Sequence, residues 1–175
     1  MVSNIAMTNF VARFLCACAL VLAFGITVGH AAELKREILG LRVDMPKAEV
    51  QKRLQEIGKF VRDERKRQEI WEVRDASFSH VVVGFDGKDT LRFVTAVARE
   101  DKEAKRVAYN DIGATAHAHQ AGDPAINNFN FEWRLPAHKG EPEALVIARG
   151  RDPKFVSTYS LKRLSEDAGA EEEND

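Results

Sequence analysis

The chain has 175 residues, with 26 lysines and arginines against 27 aspartates and glutamates and 45% apolar residues; this suits one or two small globular domains and excludes disordered and fibrous classes. Both cysteines, Cys16 and Cys18, fall inside an apolar run over residues 14–28, so the rest of the chain has no thiolate nucleophile, disulfide framework or cysteine metal site. Residues 165–175 hold six acids and no base, whereas residues 33–164 hold 25 bases and 21 acids, an excess too mild for a nucleic-acid binder.

The apolar run is short for a membrane span, which needs about 20 apolar residues. Gly29 and Ala31 follow it at the small-x-small spacing of a signal-peptidase site, with cleavage after Ala32 as the alternative. We expect residues 1–32 to be an export signal and the mature protein to be periplasmic or secreted, with no stable membrane span after signal removal. An uncleaved anchor is the competing reading. Leu15-Cys16-Ala17-Cys18 is only a crude lipobox, since almost no apolar stretch precedes it.

The first expected element is a helix over residues 45–57. Asp44 is placed to cap it, Pro46 is tolerated in its first turn, Glu49 suits the positive end of the dipole, and Gly58 offers a left-handed stop. Val50, Leu54 and Ile57 recur at spacings of four and three, a narrow apolar stripe for packing on one surface. Strands are expected over residues 69–74, 78–85 and 91–98, the last two joined by the hairpin signal Asp86-Gly87-Lys88-Asp89.

Beyond a charged connector, the Ala-rich residues 109–121 suggest a second, weaker helix closed by Gly122-Asp123-Pro124. Residues 128–135 alternate cleanly, with Phe129, Phe131, Trp133 and Leu135 on one face and Asn128, Asn130, Glu132 and Arg134 on the other. Further strands are expected over residues 144–148 and 155–161. The fold class is therefore α+β: one or two helix-plus-antiparallel-meander units, residues 33–107 and residues 108–164. The strands of the two units are offset by roughly 60 residues, which suits a tandem duplication as well as a single long meander. Residues 165–175 are expected to be a solvated, disordered acidic tail.

Signals for catalysis are sparse. His117 and His119 would share a face on a strand but diverge on the expected helix, so they read as surface histidines. Ser77-Phe78-Ser79-His80 lacks a nucleophile elbow, and the pairs Glu69/Glu72 and Glu141/Glu143 read as solvated carboxylates. No phosphate-cradling glycine loop is present. The mixed-sign run Arg62-Asp63-Glu64-Arg65-Lys66-Arg67 reads as a solvated loop or edge. Arg149, Arg151 and Arg163, beside Trp133 and Tyr159, are the candidate partner-binding residues, because an aromatic strip with a basic border suits a peptide or a lipid headgroup. The competing reading buries the aromatic strip in the core.

The segment Gly40-Leu41-Arg42-Val43-Asp44-Met45-Pro46-Lys47-Ala48-Glu49-Val50-Gln51-Lys52-Arg53-Leu54 resembles the opening motif of the BamE (SmpA/OmlA) family, with Gly40, Met45, Val50 and Leu54 matching. Asp44 stands where the motif has glycine, and Pro46 where it has a capping hydroxyl. The hairpin from Val81 to Val97 is also similar, so the resemblance covers residues 38–98. Two such units would resemble the tandem arrangement of the secreted β-lactamase inhibitor protein. The resemblance implies helices packed on an antiparallel sheet and a role in binding envelope proteins, and it transfers no contact residue.

These readings lead to an exported, non-catalytic envelope protein that needs no cofactor or metal and binds a protein or peptide, in envelope assembly or in inhibition of a partner. The alternative is a periplasmic small-ligand carrier or hydrolase with its site on the second sheet.

Overall fold

The computed structural model describes residues 34–164. The expected export signal and acidic tail lie outside the described residues. Helix α1 (Lys47–Ile57) forms as the stripe predicts, with Val50 and Leu54 wholly buried on one side. Its ends differ from expectation. Pro46 takes the N-cap position with no side-chain hydrogen bond, while Asp44 adopts a left-handed φ of 66° and accepts a hydrogen bond from Arg163. Gly58 is extended at φ −164° and supplies no left-handed stop; a Cβ there would lie 2.1 Å from the Glu72 carbonyl oxygen. Glycine at this position lets the helix run directly into β1 (Gly58–Asp63), pressed against the backbone of β2 (Gln68–Val73).

With β3 (Phe78–Phe85) and β4 (Leu91–Ala98), β1 and β2 make an antiparallel meander. A single helical turn, α2 (Tyr109–Ile112), precedes a second meander of β5 (His119–Gln120), β6 (Phe129–Leu135), β7 (Ala144–Gly150) and β8 (Thr158–Arg163). The two join through β4 and β8, where Val94 faces Leu161 and Ala96 faces Tyr159. The result is one eight-stranded sheet in the order β1-β2-β3-β4-β8-β7-β6-β5. From either edge, each meander runs inward and ends on a central strand.

The α+β expectation is thereby corrected. Strand accounts for 44% of the structure and helix for 16%, so the fold is β-rich and not a set of helix-plus-meander units. The second expected helix, residues 109–121, breaks into one α-helical turn and a 3-10 turn (Thr115–His117) for local reasons. Gly113 is extended, and the Asn110 side chain accepts from both the backbone N–H and the hydroxyl of Thr115, an alternative to helical hydrogen bonding. His119 and Gln120 then pair with Glu132 and Phe131 as β5. The β3–β4 hairpin forms as expected, although Asp89, at φ 55°, takes the left-handed conformation in place of Gly87.

Because side chains alternate along each strand, the sheet has two unlike faces. Residues 34–46, α1 and residues 109–118 cover the face that carries Trp71, Val81, Val94, Leu161, Val146 and Trp133, all buried. Trp133 donates its indole N–H to the Ala114 carbonyl at 3.0 Å, and Phe131 stacks against Tyr109 at 4.8 Å. Glu69 is buried under α1, 3% exposed, accepting from Gln51 at 2.8 Å and Trp71 at 3.0 Å, with the Lys47 ammonium 3.3 Å away. The pairing of Glu69 with Glu72 as two solvated carboxylates is therefore wrong for Glu69. The register of β2 turns it inward, and only Glu72 faces solvent.

Candidate functional site

On the opposite face the register aligns three rows of side chains across the strands. The middle row runs Ile70, Val82, Thr95, Ser160, Ile147 and Glu132. On one side of it lie Glu72, His80, Val97, Thr158, Arg149 and Asn130. On the other lie Gln68, Gly84, Phe93, Lys162, Leu145 and Arg134. Of all these only Gly84 is buried, because the Phe93 ring lies across it; a Cβ on Gly84 would sit 2.1 Å from that ring. The rest keep partial or full access to solvent.

The chemistry of this face is mixed. Ile70, Val82, Phe93, Val97, Leu145 and Ile147 supply half-buried apolar surface, and the Thr95 and Ser160 hydroxyls hydrogen-bond each other at 2.9 Å at its centre. Around them stand charges. Glu72 pairs with Lys59 at 2.9 Å; that hydrogen bond and the Lys59 charge hold its carboxyl below the ordinary range. Glu132 accepts from Asn130. Arg149 and Lys162 are exposed and form no ion pair with the described residues, and Arg134 reaches Glu143 only at 3.6 Å.

The five residues singled out in the sequence do not converge. Trp133 and Tyr159 are buried on the covered face, Arg149 points from the opposite face, and Arg151 is exposed in the β7–β8 connection. Arg163 belongs to the covered side, where its guanidinium bridges Asp44 at 2.5 Å and Asp86 at 2.9 Å. It clamps the segment before α1 to the β3–β4 turn and to β8. Burial alone would raise the Asp86 carboxyl, but hydrogen bonds from Thr90, Lys88 and Arg163 hold it well below the usual carboxylate range. Of the candidate residues, then, only Arg149 lies on the uncovered sheet face.

The missed residues are the half-buried apolar ones. Val82, Val97, Leu145 and Ile147 were legible as strand residues, but their facing was not, since β3, β4 and β7 carry apolar side chains on both faces.

Elsewhere the catalytic signals stay weak. His80 Nδ1 lies 3.1 Å from Ser79 Oγ, a contact between neighbours at the irregular start of β3, and the Glu72 carboxylate opposite is engaged by Lys59. His117 and His119 are exposed. Among the described residues no three His, Cys, Asp or Glu side chains converge as a metal site, and no helix is long and apolar enough to cross a membrane. A shallow cleft of about 200 Å³ lies between Arg42–Glu49 and the β6–β7 turn, and its Glu141 is held by Arg36 and Arg42. No protein-family model, curated protein or solved structure matches the chain.

Proposed function

We propose that this chain is an exported, non-catalytic envelope protein that binds a protein or peptide through the uncovered face of its sheet. The observation that carries the proposal is the apolar content of that face. Six half-buried aliphatic and aromatic side chains stand in adjoining rows on a surface no described segment covers, and apolar side chains that keep access to solvent in one contiguous patch mark interaction sites. Arg149, Lys162, Arg134 and Glu132 add charge on its β6–β8 half, and polar groups beside an apolar patch are typical of protein interfaces. The resemblance of residues 38–98 to the BamE family supports the envelope setting.

The test is capture from periplasmic extract with the wild type and with Ile147→Glu, which places a charge in the middle of the apolar patch. The proposal expects a partner retained by the wild type and lost by the variant, with the folding of the variant unchanged. Equal retention of that partner by both proteins would refute it.

A further inference from the structure

We propose that the uncovered sheet face is a docking site for the chain's own acidic C-terminal segment, residues 165–175. Charge is the first reason. On the β6–β8 half of the face, Arg149 and Lys162 lack carboxylate partners among the described residues and Arg134 has only a loose one, against the single acid Glu132. The segment carries Glu166, Asp167, Glu171, Glu172, Glu173 and Asp175 with no base. Opposite charges at the edge of a partly apolar surface attract more strongly than they would in open water.

Position is the second reason. The segment leaves the sheet at Leu164, two residues beyond Lys162, so it starts at the margin of the face. Eleven residues extend up to about 36 Å. Arg149 lies opposite Thr158 on the neighbouring strand, five residues back along β8 from Arg163, or roughly 17 Å down the strand and about 5 Å across. The run Glu171-Glu172-Glu173 therefore reaches Arg149 with chain to spare. Its Gly, Glu, Asn and Asp residues disfavour strand addition, so what it offers this face is counter-charge. A second copy of the chain is a poorer occupant, since face-to-face packing would set the Arg149 and Lys162 patches against each other.

The docking stands apart from the proposed function, but its consequence rests on that reading. A partner of this face must displace the segment, so its own contact surface has to be acidic at the rim. Without any partner present, docking is tested by zero-length carbodiimide cross-linking of the full chain carrying Arg149→Lys, a change that keeps the charge and adds an amine at the far end of the face. Tail carboxylates should join that amine at several times the yield seen at Lys52, which is exposed on α1 away from the face. The yield should fall at least threefold in about 0.5 M salt, where screening confines charge interactions to a few ångströms. Equal yields at the two amines, a yield insensitive to salt, or cross-links confined to Lys66 in the β1–β2 turn would each overturn the proposal. Failure here would leave the partner-binding reading standing, and failure of capture would leave the docking standing.

Discussion

Two carboxylates separated by three positions show how register decides the role of a residue. Glu69 and Glu72 lie on the same strand, yet β2 turns the first under α1 and the second toward solvent. Glu69→Ala strands the buried Trp71 indole N–H, so a loss of about 1–3 kcal/mol is expected, while the part-buried Gln51 amide can turn to water. Glu72→Ala breaks only an exposed pair with Lys59 and should leave the melting temperature unchanged. Denaturant melts of the two variants check the contrast, and equal losses would contradict the assignment of faces. The tyrosines give a second reading at this scale, because Tyr109 and Tyr159 are the chain's only two and burial pushes both phenols up to about 12, with the Asp152 and Glu37 charges adding to the effect. An unfolded tyrosine ionises near about 10, so the fold favours the neutral phenol. That contribution is complete below pH 10 and is lost as the pH rises from about 10 through 12. Spectrophotometric titration should show little tyrosinate at pH 10 while the protein is folded; an inflection there would contradict the burial of both rings.

At the scale of elements, helix α1 shows its buried side in its apolar spacing. Leu54, wholly buried beside Val50, should cost about 2–5 kcal/mol on truncation to alanine, whereas Lys52→Ala on the exposed side should cost almost nothing. Equal shifts in thermal melts would show that the stripe does not face the sheet. The clean alternation of β6 and the turn after β3 were equally legible, because period and turn chemistry are local signals. Three elements were not. β1 escaped notice because Phe60 and Val61 stand between charged residues directly after a helix, and the strand is half-exposed at the sheet edge. β5 is two residues long and exists only by pairing with β6. Residues 109–121 looked helical from their alanines, but a run that short needs a packed apolar face to hold a helix. Tyr109 and Ile112 enter the core from a single turn, and the chain then passes Trp133 at Ala114 before a 3-10 turn at Thr115–His117. The basic and aromatic candidates failed to converge for a related reason. Their places at the ends of neighbouring strands suggested a basic rim beside Trp133, while strand alternation puts Arg149 and Trp133 on opposite faces of adjacent strands.

At the scale of the whole sheet, the β4–β8 pairing turns two meanders into a single sheet whose covering segments, among the described residues, all lie on one side. The partner-binding reading and the docking of the acidic segment both depend on that asymmetry. Adjacent residues on β7 test it most directly: Val146 is wholly buried on the covered face and Ile147 is half-buried on the other. The measurement is the thermal melt of Val146→Asp beside that of Ile147→Asp. The account predicts that Val146→Asp abolishes cooperative unfolding, since it buries an unpaired charge, while Ile147→Asp lowers the midpoint by less than about 4 °C. Comparable collapse of both variants would mean that the second face is covered as well, and the account would be wrong.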